Sequence, residues 1–269
     1  MNLSISPGKN NVGAYINDIN LKSLDQDQAT EIKKILNKYG VIFIKEQNLD
    51  PETYQNFAKN IGQPVVYPRL KGLDEKFPFI NVIERKPDDK NLSFGSSWLH
   101  QDTSYLANDR PRYTMLMGIE IPVGQGNTIF SSGFNAYDKL PDDIKVKIKD
   151  ATGVFSSAGP IAITRLEREK EMGIKSSESM EAEHPIVISV DGKKTLYVSP
   201  GHLMKIKNVK EDEAEYLKNY LVDHVNKEDF IFSYEWTKGD ICLWDNLSIL
   251  HMASEIKNCR RVMHRITIK

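Results

Sequence analysis

Residues 239–268 read GDICLWDNLSILHMASEIKNCRRVMHRITI. Gly239-Asp240 is a turn signal. Ile241 to Trp244 has the β-branched, apolar and aromatic character of a strand, and Asp245-Asn246 breaks it. His251 lies just beyond that break. The run from Arg261 to Ile268 reads as a further, terminal strand. Alternate side chains of an extended segment share a face, so Arg261, Met263 and Arg265 point one way and Val262, His264 and Ile266 the other. Two arginines aimed inward are costly to bury without anionic partners. A guanidinium matches a carboxylate through two parallel hydrogen bonds. This strand therefore reads as an anion-binding element; an edge strand with two solvated arginines is the competing reading.

Working outward, Phe79–Glu84, Tyr113–Glu120, Asn127–Ser131, Pro185–Val190, Lys194–Ser199 and Phe230–Trp236 have the same strand character. Val41 to Ile44 reads as a short buried strand. Helices are fewer. Ala29, Ile32, Ile35 and Leu36 fall on one face of a helix over Asp25 to Lys38, with Gly40 where a terminating glycine belongs. Asp50-Pro51 starts a second helix that runs toward Ile61. Pro141–Lys149 and Glu211–His224 are two more. Many strands with a few helices outside them predict a mainly β fold, a sandwich or barrel with flanking helices, and not alternating βαβ units. Neither GxGxxG after a strand nor GxxxxGK[ST] is present, so nucleotide binding through those loops is not indicated. The charged stretch from about 156 to 183 reads as an insertion, partly helical, and as a lid over one side of the β core.

The 269 residues are compatible with a single domain, because β sandwiches and barrels often reach this size as one unit. Apolar residues make up 40% and charged residues 27%, enough for an ordinary core. With 36 basic and 37 acidic residues the net charge is -1, so no overall bias pulls the chain toward nucleic acid or an anionic membrane. Cys242 and Cys259 are the two cysteines, and neither belongs to a CxxC, which removes zinc-ribbon and thioredoxin readings. A reducing cytoplasm is the expected location. The N-terminal MNLSISPGKNN lacks a basic segment followed by an apolar one, so a secretory signal is not expected, and no apolar run is long enough to predict a membrane span.

The sharpest local feature is Ser96-Ser97-Trp98-Leu99-His100-Gln101-Asp102-Thr103-Ser104-Tyr105. On an extended segment His100 and Asp102 present their side chains to one face and can share a metal. One imidazole and one carboxylate suit a borderline divalent cation, and a third ligand from elsewhere completes a two-histidine, one-carboxylate triad with three coordination positions open. An O₂-activating Fe(II) needs that opening: two positions for a chelating 2-oxo acid and one for O₂. An isolated HxD also occurs by chance in many proteins, so the pair does not establish a metal alone.

Taken together, W-L-H-Q-D at 98–102, G-N-T-I-F at 126–130, W-D-N at 244–246, H-M-A at 251–253 and R-R-V-M-H-R at 260–265 resemble the taurine dioxygenase/dichlorophenoxyacetate dioxygenase (TauD/TfdA) family of Fe(II)- and 2-oxoglutarate-dependent oxygenases. The order and spacing of these pieces fit, and the similarity extends over nearly the whole chain. The resemblance implies a double-stranded β-helix, or jelly-roll, core. It implies His100, Asp102 and His251 as catalytic metal ligands, and Arg261 with Thr128 on the distal carboxylate of 2-oxoglutarate. Arg265 matches the arginine that contacts the anionic group of the substrate in taurine dioxygenase. Retention of Asp102 implies oxygenation rather than halogenation. Where the family's taurine enzyme has a sulfonate-binding histidine, this chain has Gln63 to Pro68 with none, and Ser96 stands where an asparagine meets the amine. These departures put taurine itself in doubt. Tyr67, Ser96, Ser97, Tyr105 and His202 are the remaining candidates for lining the substrate.

The expected partner is a small anionic organic substrate, a sulfonate or a carboxylate, with O₂ and 2-oxoglutarate as co-substrates and succinate and CO₂ as products. A homo-oligomer is compatible with the chain. Two alternatives stand beside this: the same iron chemistry on an amino-acid-derived metabolite in biosynthesis, or a metal-binding β fold without turnover. His184, His224 and His264 read as structural, and Trp236 and Trp244 as core aromatics.

Overall fold

The computed structural model of the chain describes residues 3–67, 70–90, 92–163, 166 and 178–269. Its first helix, α1 (Gln26–Tyr39), starts where two side chains cap each other's backbone. The Asp25 carboxylate accepts from the Gln28 N–H at 2.7 Å, and the Gln28 side chain accepts from the Asp25 N–H at 3.1 Å. The pair satisfies two polar groups that a helix start leaves open. α1 buries Ala29, Ile32, Ile35 and Leu36 and stops at Gly40, whose φ of 77° suits glycine. α2 (Pro51–Ile61) has Asp50 as its cap and proline in its first turn, and buries Tyr54, Phe57, Ala58 and Ile61. Both helices lie where the sequence predicts them. Further described helices are α3 (Gly133–Asp138), α4 (Asp142–Ile148) and α5 (Ala214–Val225).

The strands in the first part of the chain are β1 (Ser4–Pro7), β2 (Ala14–Asn17), β3 (Val41–Ile44), β4 (Pro64–Val65), β5 (Asn81–Arg85), β6 (Tyr113–Glu120), β7 (Thr128–Ser132) and β8 (Thr152–Ser156). Then come β9 (Glu181–Pro185), β10 (Val187–Val190), β11 (Lys193–Leu196), β12 (Leu203–Lys207), β13 (Ile231–Tyr234), β14 (Ile241–Asp245), β15 (Ile249–Ala253) and β16 (Arg261–Ile268). One large sheet runs β1-β2-β3-β14-β6-β16-β4, with β5 also paired to β16. A smaller sheet runs β13-β7-β15, and two further sheets join β12-β8-β9 and β10-β11. The chain passes from the large sheet to the small one between β6 and β7. It does so again from β14 to β15, and returns with β16. This winding is a double-stranded β-helix, or jelly roll, with flanking helices, as expected.

A shared core holds the two sheets together. Val41 and Phe43 of β3, Leu116 of β6, Cys242 and Trp244 of β14 and Met263 of β16 pack with Phe130 of β7, Tyr234 of β13 and Ile249 of β15. The intervening residues of the same strands, Ile42, Ile44, Met115, Met117, Leu243 and Ile266, face the other way and meet α1 and α2. β3 is therefore buried on both faces, which explains its unbroken apolar run. Phe43→Ala in this core is expected to cost about 3–5 kcal/mol. A third apolar cluster joins α4 and α5 to β8, β11 and β12.

Two details differ from the sequence reading. The single strand expected over Pro185–Val190 is two, because the chain bends at Ile186 and the Ile186 N–H bonds instead to the Ala151 carbonyl at 2.9 Å. His251, placed beyond a strand, lies within β15, paired with Phe130 of β7. Of the segment expected as a lid, residues 164–165 and 167–177 lie outside the described residues; its C-terminal end is β9, paired with β8.

Candidate metal and co-substrate site

His100 belongs to no long strand, but it forms an antiparallel bridge with His251. The His100 N–H donates to the His251 carbonyl at 3.0 Å, and the His251 N–H to the His100 carbonyl at 2.9 Å. Their rings sit with centroids 4.3 Å apart. Thr103 follows with φ 53°, turning the chain directly after Asp102. Asp102 Oδ1 lies 3.9 Å from His100 Nε2 and 3.9 Å from His251 Nε2. The donor atoms of all three residues lie within 4.8 Å of one another. Two nitrogens and one oxygen converging from buried side chains are a donor set that fits one divalent transition metal with positions left open.

The protonation states suit that task. His100 Nδ1 lies 3.0 Å from the Trp98 carbonyl, which can only accept, so Nε2 keeps its lone pair toward Asp102. Burial, ahead of every other influence, pushes the His100 pKa below its ordinary value and that of His251 well below it. Burial alone raises the Asp102 carboxyl. The Arg265 guanidinium, followed by the two imidazoles and the Thr114 hydroxyl, overcomes this and holds it well below the usual carboxylate range.

β16 supplies the two arginines on one face. Arg261 is 6% exposed and Arg265 3%, so the solvated-edge reading fails. Burial lowers the Arg261 guanidinium to about 10. Its Nε and Nη2 have no hydrogen-bond partner among the described residues. A buried cation without a partner is costly, and an anion bound there relieves that cost. Gly126 makes the room: with φ +75°, a Cβ at this position would lie 2.8 Å from Arg261 Cδ and 2.9 Å from Nε. Thr128 is buried at the start of β7, and its hydroxyl accepts from Trp236 Nε1 at 2.9 Å, which leaves its own hydrogen to donate. A distal carboxylate fits this arrangement.

Arg265, expected from the resemblance to meet the substrate's anionic group, also has a partner within the site. Its Nη2 bonds Asp102 Oδ2 at 2.8 Å, and its guanidinium lies over the Tyr67 ring at 4.9 Å. Nη1 is buried with no partner among the described residues. Arg265 therefore joins the metal carboxylate to a position where an external anion can bind.

The other candidates divide. His202 and Tyr105 are buried and meet edge to face at 5.1 Å, and the His202 ring stands 5.9 Å from that of His100. His202 Nδ1 is 2.9 Å from Ser104 Oγ and 3.2 Å from Ser199 Oγ. Ser96 is buried beside Ala253, and its hydroxyl has no partner among the described residues. Ser97 is exposed with φ 75°, which puts it on the rim rather than among the buried groups. His184 ties the Ser104 and Leu106 carbonyls to Arg110, and His224 bonds the Ala136 carbonyl, so both are structural. His264 lies on the face of β16 opposite the arginines.

Sequence reasoning missed Thr114 and Asn246. Thr114 Oγ1 donates to Asp102 Oδ2 at 2.6 Å, and the Asn246 amide donates to Thr114 Oγ1 at 2.9 Å. It also read Trp236 and Trp244 as plain core, although their indole N–H groups bond Thr128 and Asn246. The W-D-N motif and a lone threonine in apolar β6 were the available signals.

The family model for the taurine catabolism dioxygenase TauD, TfdA family matches residues 4–267. The chain belongs to the TauD/TfdA family. Membership makes it a dioxygenase, an oxidoreductase. Among its relatives, an alkylsulfatase of Acinetobacter baylyi is 30% identical over 270 residues, spanning 96% of this chain and 82% of that protein. An alpha-ketoglutarate-dependent sulfate ester dioxygenase of Pseudomonas putida is 26% identical over 280 residues, spanning 100% of this chain and 90% of that one. The crystal structure of a taurine dioxygenase from Burkholderia xenovorans superposes with a TM-score of 0.81 at 25% identity, covering 99% of this TauD/TfdA chain and 89% of its counterpart.

Proposed function

We propose that this chain is one catalytic domain that uses Fe(II) and 2-oxoglutarate to oxidise a small organic sulfate ester or sulfonate. The observation that carries the reading is Arg261, a buried guanidinium with two unpartnered nitrogens on the strand that also holds Arg265. A metal site without turnover has no use for such a clamp. His100, Asp102 and His251 would hold the iron, and Arg261 with Thr128 the distal carboxylate of 2-oxoglutarate. When bound, iron and 2-oxoglutarate supply the oxidation: the 2-oxo acid is decarboxylated to succinate and CO₂ while one atom of O₂ enters a substrate C–H bond.

The protein's own part is binding and orientation. Arg265 Nη1 receives the sulfo group, with Tyr67 fixing the guanidinium plane. Tyr105, His202 and Ser96 line the space beside His100 and restrict the substrate carbon to one approach. Exposed Val66 next to Tyr67, and exposed Trp98 two residues before His100, offer apolar surface for an alkyl portion. For a sulfate ester, hydroxylation of the carbon bearing the ester oxygen gives a hemiacetal-type product. Its C–O bond breaks to an aldehyde, and sulfate leaves with the electron pair. The Pseudomonas putida relative, a sulfate ester dioxygenase, supports the sulfate ester reading.

The test is anaerobic addition of Fe(II) and 2-oxoglutarate. A weak visible charge-transfer band is expected, and Asp102→Ala should abolish it. On admitting air, short alkyl sulfates, alkylsulfonates and aryloxyacetates are compared for coupled succinate release. No band with the wild type, and no succinate above background with any of them, would overturn the reading.

A further inference from the structure

Asp102 Oδ1 and Oδ2 have different surroundings. Oδ1 faces the two imidazoles, at 3.9 Å from each Nε2. Oδ2 faces away and accepts two hydrogen bonds, from Arg265 Nη2 at 2.8 Å and from Thr114 Oγ1 at 2.6 Å. Thr114 sits in β6 between Tyr113 and Met115 and is fully buried. Valine has the same branched shape and would serve the strand equally well. The hydroxyl therefore calls for a reason beyond the strand.

Asn246 gives the hydroxyl its direction. The Asn246 carbonyl oxygen accepts from Trp244 Nε1 at 3.0 Å and from the Asp102 N–H at 3.2 Å. Both partners can only donate, so the amide NH₂ must point the other way, to Thr114 Oγ1 at 2.9 Å. Thr114 Oγ1 thus accepts from Asn246 and gives its one hydrogen to Asp102 Oδ2. The Asn246 side chain holds Asp102 twice: its oxygen accepts from the Asp102 backbone N–H, and its NH₂ reaches the Asp102 carboxylate through Thr114. All four side chains are buried, where such bonds are strongest and least exchanged with water.

Resting on the metal reading above, we infer that Thr114, oriented by Asn246, is a positioning residue for the metal. It pins Oδ2 of Asp102 so that Oδ1 alone is presented to the ion. Arg265 makes the other bond to Oδ2, but it is also the group that meets the substrate's anion. Thr114 has no second duty, so it keeps the carboxylate in place whether or not substrate is bound. Without its hydroxyl the carboxylate is freer to rotate and offer both oxygens, which would fill a coordination position needed for the co-substrates.

The test uses Co(II), which does not turn over, titrated into the metal-free full-length protein. Binding is followed by heat and by visible ligand-field absorption. Thr114→Val is expected to bind Co(II) about 10–100-fold more weakly with an altered spectrum, and Thr114→Ser to stay within about threefold of wild type. If Thr114→Val does not fold, Thr114→Ala against Thr114→Ser makes the same comparison. A merely structural role would lower the unfolding midpoint of the metal-free variant and leave Co(II) affinity and spectrum alone. Equal affinity and identical spectra for wild type and Thr114→Val overturn the inference while His251→Ala, binding no Co(II), leaves the metal site standing. Wild-type protein that takes up no Co(II) overturns both.

Discussion

His100 and His251 exchange both of their backbone hydrogen bonds, at 3.0 and 2.9 Å, so the main chain alone brings the two imidazoles together. We predict that His251→Ala folds normally but loses metal-dependent stabilisation. At a hundredfold excess over Kd, Mn(II) should raise the wild-type unfolding midpoint by about 5–10 °C, and the variant's not at all. Scanning calorimetry with and without Mn(II) checks this; an equal shift in both proteins would remove His251 from the ligand set.

Arg261 and Arg265 share a face of β16, and the proposed function divides two tasks between them. Arg261→Ala should raise the KM for 2-oxoglutarate by about 30-fold or more, the scale expected for truncating a buried charge that pairs with a ligand, and leave the KM for the sulfo substrate nearly unchanged. Arg265→Ala should raise the substrate KM and also weaken metal retention, because it removes one of the two bonds to Asp102 Oδ2. Steady-state kinetics over both substrates, with metal content measured after dialysis, separates them. Equal effects on both KM values in both variants would refute the division.

Gly126 is predicted to be a sensitive position for co-substrate binding, because a Cβ there would crowd Arg261. Gly126→Ala puts a methyl group against Arg261 in a backbone region that alanine rarely adopts. A stability loss of about 1–3 kcal/mol is expected, together with weaker 2-oxoglutarate binding. Urea unfolding and a 2-oxoglutarate titration report the two effects, and a variant with wild-type values for both would show that the crowding is not felt.

His224 gives a pH prediction. Burial, ahead of its other influences, lowers its pKa, and its Nδ1 has no partner among the described residues. The folded state favours the neutral ring, so the unfolded chain takes up the proton first as pH falls. Stability is then unaffected above the unfolded histidine value of about 6.5, is lost as pH falls below it, and levels off beneath the folded value. His224→Gln should flatten this part of the profile relative to wild type when urea midpoints are compared at pH 8 and pH 5.5. Parallel profiles would contradict it.

The parts of the fold that were legible follow strict local rules. The alternation along β16 requires Arg261, Met263 and Arg265 to share a face, and all three are buried together. The caps at Asp25 and Asp50 announce α1 and α2 whatever they pack on. β15 was hidden because Asp245-Asn246 ends one strand and Ile249 begins the next almost at once, and only pairing with β7 makes that run a strand. The roles of Thr114 and Asn246 were hidden more deeply. Nothing near Thr114 in the chain mentions Asp102, and the bond between them exists only after β6 is packed against the HxD segment. For the same reason Arg265 could be read as anion-binding but not as the partner of a metal ligand.

β6 lies between β14 and β16, and both of its partners come from the last thirty residues of the chain. During synthesis the apolar run from Tyr113 to Ile119 therefore leaves the ribosome with neither neighbour available, and it stays unpaired while the whole middle of the protein is made. The sheet is completed only by the final strand, the one that carries the two arginines. A chain truncated before Arg261 would lack more than its anion-binding groups: it would be left with an open apolar edge in the centre of its largest sheet, a surface prone to join other chains.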